Sequence, residues 1–110
     1  MIITKNQETF IISNISNDFE VFIENFNSEY QNLKNNHIIV NLDGFIKIDS
    51  KNIKNLFEIS KTHKKSKKSF IVVSLGANYL KKPDLLDIVP TVQEAFDIIE
   101  LDEIERDLGF

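Results

Sequence analysis

A chain of 110 residues with 42% hydrophobic content is long enough for one compact domain and too short for two ordinary domains. The absence of cysteine excludes disulfides and thiolate metal sites. A net charge of −4 argues against a protein that mainly neutralises nucleic-acid phosphates, and no segment approaches the roughly 20 apolar residues of a membrane span. We therefore expect one cytoplasmic domain over residues 1–110, with no membrane and no direct nucleic-acid contact.

The first third of the chain predicts a β-ribbon, a helix and a central strand. Two β-type runs, 2–4 and 9–12, flank a polar stretch that suits a hairpin turn, and they predict an edge ribbon. Apolar residues at helical spacing predict a helix over about 18–34, with Asp18 or Asn17 as its N-cap. The β-branched run 37–42 predicts a central strand that is covered on both faces.

The middle of the chain predicts a second helix and a second buried strand. Apolar residues follow Ser50 at helical spacing and predict a helix to about His63, where a lysine-rich loop begins. The run 69–75 predicts the buried strand, and 76–78 predicts a turn after it.

The last quarter predicts a short helix, an edge strand and a long final helix. The short helix starts near Pro83, and the edge strand lies within 86–90. Thr91 and Glu94 have capping-box spacing at the start of the final helix, and Gly109 is placed as its stop. Together the elements predict an α/β fold with a mixed sheet of about four to five strands and about four helices packed on it.

Little in the sequence supports catalysis. His37 and His63 have no nearby serine or acidic partner in sequence, and a lone histidine is more often structural or exposed than catalytic. The three glycines are scattered singly, so no phosphate-binding loop is present, and no metal-ligand spacing occurs. A response-regulator receiver would need an acidic pair after the first strand and a lysine after a late strand, which 17–18 and 74–76 do not supply. We expect no enzyme and no cofactor.

An apolar run stops at Asp49–Ser50 just as the second helical pattern begins. A hydroxyl at such a junction can cap the helix, and it can also receive a regulatory phosphate. Residues 41–53 read N-L-D-G-F-I-K-I-D-S-K-N-I. This stretch resembles the pattern D-L-S-x-V-x-x-(I/M)-D-S-(S/T)-G-L of the STAS family, the sulfate transporter and anti-sigma factor antagonist domains of bacteria. Residues 89–95, V-P-T-V-Q-E-A, resemble the pattern that leads into the last helix of that family.

The resemblance implies a STAS-like fold and a switchable partner-binding role. In stand-alone members the serine after the Asp is phosphorylated by a partner kinase, and the unmodified domain docks onto an anti-sigma factor, often a serine kinase. On that analogy Ser50 is the phosphorylation site. Asp18 and Asp49 lie at positions that match the family, and Lys51, Asn52 and Lys54 would line the same surface, so these five are the candidate partner-binding residues.

A second interpretation is a divergent STAS scaffold or ligand-binding domain whose Ser50 is never modified. Where the family usually has a second hydroxyl and a glycine, this chain has Lys51 and Asn52, whose side chains fill space that glycine leaves to a partner backbone. The acidic final helix, Glu94 through Asp107, is then a candidate docking face, although a solvated helix face is the simpler interpretation. The lysine-rich stretch 61–68 reads most simply as a solvated connection.

Overall fold

The computed structural model describes residues 1–13, 18–43, 45, 50–74 and 86–109. Five strands and three helices lie in these ranges. In chain order they are β1 (Ile2–Asn6), β2 (Thr9–Ser13), α1 (Phe19–Leu33), β3 (His37–Asn41), α2 (Ser50–Lys64), β4 (Phe70–Val73), β5 (Asp87–Val89) and α3 (Val92–Asp107).

The five strands form one mixed sheet in the order β1-β2-β3-β4-β5. β1 pairs antiparallel with β2 through the hairpin, and each of the other neighbouring pairs is parallel. Parallel neighbours need a crossover, and right-handed crossovers through α1 and α2 put both helices on the same face. The predicted edge ribbon and the central place of the 37–42 strand are therefore confirmed.

Two hydrophobic layers hold the helices to the sheet. On one face, fully buried residues of β3 and β4 such as Val40 and Phe70 contact Phe22 and Phe26 of α1 and Leu56 of α2. On the other face, a smaller layer joins the sheet to α3, and it contains Ile39, Ile71, Val73, Ala95 and Ile99. β3 and β4 are buried on both sides, which explains why their sequences are continuous apolar runs.

The helix boundaries agree with the local signals in the sequence. Asp18 is the N-cap of α1, and its Oδ1 accepts a hydrogen bond from the Val21 amide at 3.2 Å. Thr91 caps α3 by accepting from the Glu94 amide at 3.1 Å. Gly109 follows α3 with φ of +82°, a left-handed conformation that favours glycine at a helix end.

The described part of the chain has three helices, against about four predicted. The predicted short helix near Pro83 and the turn at 76–78 lie outside the described residues. The edge strand that was expected within 86–90 is present as β5. Within the described ranges, no helix combines the length and apolar character that crossing a bilayer requires.

His37 is buried at the start of β3, next to polar groups of α3 and of the residue that precedes β4. Its Nδ1 accepts from the Ser69 amide at 3.0 Å, which leaves Nε2 to donate to Oε1 of Glu103 in α3 at 2.6 Å. Ser69 in turn donates its hydroxyl to Asp102 at 2.7 Å and accepts from Arg106 at 3.3 Å. The network ties α3 to the amino ends of β3 and β4, which gives His37 a structural role.

His63 is fully buried near the end of α2. The carbonyl of Asn36, 2.8 Å from Nε2, can only accept, so Nε2 carries the proton and Nδ1 accepts from the Tyr30 hydroxyl at 2.7 Å. Burial raises the pKa of Tyr30, which keeps this hydroxyl a donor. His63 therefore joins the end of α2 both to α1 and to the segment before β3.

Burial lowers the pKa of His63 below its ordinary value. The carbonyl of Asn36 acts in the opposite direction, and the charges of His37, Lys68 and Arg106 lower the pKa further. The folded protein therefore holds this imidazole in its neutral form more strongly than the unfolded chain does.

A depressed pKa makes the stability of the protein depend on pH. The contribution of neutral His63 is present above its unfolded pKa of about 6.5 and is lost as pH falls through the folded pKa. We expect the free energy of unfolding, measured by urea titration, to decrease from pH 7 to pH 5. His63→Gln, which keeps an amide donor and acceptor but does not titrate, should flatten that decrease. An unchanged slope in the variant would assign the pH dependence to other groups.

Candidate partner-docking site

The carboxyl ends of β2 and β3 lie at the same end of the sheet, which we call its carboxyl edge. The helices that follow these two strands begin there. α1 starts six residues after the end of β2, and α2 starts with Ser50, after β3 ends at Asn41. In parallel α/β sheets this edge is where ligands and partners commonly bind, because the loops and helix N-termini converge on it. Both elements that carry the predicted site residues thus reach the same edge.

A cluster of phenylalanines packs Phe45, which follows β3, against the start of α1. Phe45 is buried, and its ring centroid lies 5.4 Å from those of both Phe19 and Phe22. The Phe45 amide donates to the Leu42 carbonyl at 3.0 Å, which turns the chain directly after β3. These contacts hold Phe45, five residues before Ser50, against the first turn of α1.

Ser50 is the first residue of α2, and it is exposed to solvent. The residue before Ser50, at position 49, would be the N-cap of α2. Asp49 lies outside the described residues. The first turn of α2 contains no acidic residue, and the helix N-terminus carries a positive partial charge. Added negative charge at Ser50 would therefore meet a favourable field within the fold.

Lys51 lies between the two helix starts. Its Nζ is 3.9 Å from Oε1 of Glu20 in the first turn of α1, and both side chains are more than three-quarters exposed, at 76% and 78%. Such an exposed pair contributes little stability, so Lys51 can turn toward another charge at small cost. Lys54 is exposed one turn further along α2, and Asn52 is half-buried.

Asp18 is exposed at the same edge, where it caps α1. The contact between Glu20 and Lys51 places the first turn of α1 beside that of α2. The structure thus places four of the predicted partner residues in the caps or the first two turns of two neighbouring helices, α1 and α2. They are Asp18, Lys51, Asn52 and Lys54, with Glu20 as an addition that sequence reasoning missed.

Phe45 and Glu20 were not recognised as site residues because their partners are distant in sequence. Glu20 meets Lys51 across 31 positions, and Phe45 meets Phe19 across 26. No periodic spacing connects such pairs. An apolar residue a few positions before a helix does not by itself indicate that it packs against a distant helix.

The remaining features of the described residues do not form a chemical site at this edge. No three His, Cys, Asp or Glu side chains within these residues converge in an arrangement that suits a metal ion. An open cavity of about 340 Å³ lies between the later turns of α1 and α2, away from Ser50, and its lining includes Tyr30 and Ile59. The described residues around Ser50 are mostly exposed and charged, which suits contact with a protein.

Comparisons with known proteins identify the fold. No protein-family model matches the sequence, and no curated protein matches it. A solved chain of the stressosome, described as a signal integration and transduction hub, shares 14% identity with a TM-score of 0.59, over 91% of this chain and 96% of that one. A solved serine-to-glutamate variant of RsbS from Moorella thermoacetica shares 14% identity with a TM-score of 0.60, over 90% and 96%. The α/β, STAS-like fold that the sequence predicts is confirmed by these neighbours.

The phenylalanine cluster gives a direct test of how the edge is held. Phe45→Ala should lower the free energy of unfolding by about 3–5 kcal/mol, because it removes a buried ring and leaves a cavity against Phe19 and Phe22. Chemical denaturation measures the change. Phe57→Ala on α2, where the ring is only half-buried, serves as the control and should cost less. A loss below about 1 kcal/mol at Phe45 would show that this ring does not anchor the chain after β3.

Proposed function

We propose that this chain is a single STAS-like domain over residues 1–110 that acts as a regulatory binding module of the anti-sigma factor antagonist kind. It docks onto an anti-sigma factor or serine kinase through the edge where α1 and α2 begin. The observation that carries the proposal is an exposed Ser50 as the first residue of α2. The fold shared with RsbS over nine-tenths of the chain supports it.

The proposed switch is a phosphate on Ser50. A phosphoserine adds about −1.5 to −2 charge at pH 7, which is enough to repel an acidic partner or to disrupt a desolvated contact. At the N-terminus of α2 this charge also meets the positive end of the helix dipole, so the domain itself tolerates it. The modification then changes the docking surface and leaves the fold intact.

Lys51 places a cation next to the proposed phosphorylation site. It stands next to Ser50, and its ion pair among the described residues is an exposed contact with Glu20, so its ammonium is available to an acidic partner group before modification. After modification it is available to the phosphate of Ser50 instead. If Lys51 moved from the acidic partner group to the phosphate, the switch would be stronger. The partner would then lose its contact with the Lys51 cation and also meet the negative charge of the phosphate.

A scaffold without a phosphorylation switch is the second candidate. Lys51 and Asn52 occupy the positions where the family has a small hydroxyl and a glycine, and one structural neighbour comes from an assembly, the stressosome. Under both candidates the domain is a cytoplasmic protein-binding module that needs no cofactor and catalyses no reaction.

Substitution of Ser50 separates the two candidates. We expect Ser50→Asp to abolish binding of a kinase-like anti-sigma protein in an affinity pull-down from the source cell, while Ser50→Ala retains it. Mass spectrometry identifies the partners and any phosphate on wild-type Ser50. The melting temperature should change little, because an acid in the first turn is favourable by about 0.3–1 kcal/mol.

The opposite results have distinct meanings. Identical partners for wild type and Ser50→Asp, with no phosphate under any growth condition, would support the scaffold. Loss of binding together with an equal loss of stability would show that Ser50 serves the helix rather than the partner.

The capping of α1 by Asp18 and its proposed contact with the partner can be measured separately. Asp18→Ala removes the cap of α1 and should cost about 0.5–2 kcal/mol of stability, whereas Asp18→Asn keeps a good capping group and removes only the charge. If the carboxylate contacts the partner, both variants bind more weakly in a titration with the purified partner, but only Asp18→Ala unfolds earlier. Full binding by Asp18→Asn would confine Asp18 to capping.

A further inference from the structure

The cleft between the later turns of α1 and α2 differs in shape and chemistry from the surface around Ser50. Its volume is about 340 Å³, which lies in the range of roughly 300–1,000 Å³ that is common for small-molecule sites. One wall comes from each helix, and both helices are fixed to the sheet by buried residues such as Phe26 and Leu56. The lining residues are Asn27, Tyr30 and Gln31 of α1, and Glu58, Ile59 and Thr62 of α2.

The aromatic wall of the cleft is held in place from behind. The Tyr30 hydroxyl lies 2.7 Å from Nδ1 of the buried His63, and the two ring centroids are 5.6 Å apart in an edge-to-face contact. The ring of Phe26 packs against the same phenol at 6.0 Å. A ligand that contacts Tyr30 therefore meets a ring whose position is already fixed, which lowers the entropic cost of binding.

The two hydroxyl groups of the lining act as hydrogen-bond acceptors. Tyr30 donates its only hydroxyl proton to His63, and Thr62 donates its own to the backbone carbonyl of Glu58 at 3.4 Å. Each oxygen can then only accept a further hydrogen bond. Asn27 and Gln31 can each present an amide oxygen as well. The cleft therefore suits a ligand that is rich in donors.

The charge of the lining selects a cation. Among the described residues that line the cleft, Glu58 is the only charged one, and a carboxylate only accepts hydrogen bonds. Nζ of Lys61 lies 3.8 Å from Oε2 of Glu58, but their side chains are 51% and 59% exposed. Such an exposed pair contributes little stability, so a bound cation can replace Lys61 at small cost.

We propose that the cleft between α1 and α2 binds a small guanidinium compound. A guanidinium group is planar, carries only donors, pairs with a carboxylate through two parallel hydrogen bonds and stacks on aromatic rings. Glu58 and Tyr30 supply these two partners, and Ile59 offers an apolar contact to the alkyl chain of the ligand. The site lies away from Ser50, so it goes beyond the proposed partner docking and does not depend on it.

Nuclear magnetic resonance titration with three compounds of similar size tests the site. Propylguanidinium should shift the signals of Tyr30, Ile59 and Thr62 in a saturable manner, with a Kd of about 1 mM or below. n-Butylammonium has the same charge but is not planar and is more strongly hydrated, so it should bind more weakly. N-Propylurea has the planar shape without the charge and should not bind.

The opposite results would each overturn the proposal. Shifts that do not saturate with propylguanidinium would exclude a site. Equal binding of propylurea would contradict the role of the charge, and equal binding of butylammonium would contradict the assignment to a guanidinium group. Shifts confined to α3, which has seven acidic residues, would show that the cation is attracted to that helix and not to the cleft.

A pair of matched variants locates the charge that binds the ligand. Glu58→Gln keeps an acceptor oxygen and nearly the same shape but removes the charge, and it should weaken the binding of propylguanidinium about tenfold or more. Glu100→Gln makes the same change at an exposed position of α3, on the other face of the sheet, and should leave the affinity unchanged. Circular dichroism should show that both variants are folded.

These variants also separate a specific contact from general attraction to an acidic protein. Full affinity in folded Glu58→Gln would overturn the proposal. An equal loss in both variants would do the same, because it would assign the binding to the net charge of the chain.

Discussion

The burial of β3 and β4 on both faces is the constraint on which the rest of the structure depends. Their alternating side chains point to opposite sides, Val40 and Val72 toward α1 and α2, Ile39 and Ile71 toward α3. Both sides must be covered, so helices are required on both. Parallel pairing then directs the carboxyl ends of β2 and β3 to one edge, and α1 and α2 begin there.

The two edges of the sheet consequently differ in chemistry. At the amino ends of β3 and β4, which we call the amino edge, His37 is hydrogen-bonded to Ser69 and Glu103, and His63 is hydrogen-bonded to Tyr30. The ring nitrogens of both histidines thus have their partners within the protein. At the carboxyl edge, Ser50 and its charged neighbours face solvent. An edge whose two histidines are hydrogen-bonded inside the protein supports an exposed one, which is a suitable arrangement for a surface that must keep its shape while its charge changes.

α2 carries the surface for which we propose a function, because its first residue is Ser50. A phosphate on Ser50 would change the charge of the first turn of this helix. The buried side of α2, with Ile53 and Leu56, is fixed to the sheet by apolar contacts that such a charge does not touch.

The sequence by itself determined the features that depend on neighbours within a few residues. Caps at Asp18 and Thr91, the buried strand runs and the helical spacing after Ser50 could be recognised because hydrogen bonds and periodicities of this kind are local. Only the tertiary structure decided which side chains meet across the fold. The Tyr30 hydroxyl finds His63 across 33 positions, and His37 finds Glu103 across 66. Such pairs follow from the order and direction of the strands, which bring together residues that no sequence spacing connects.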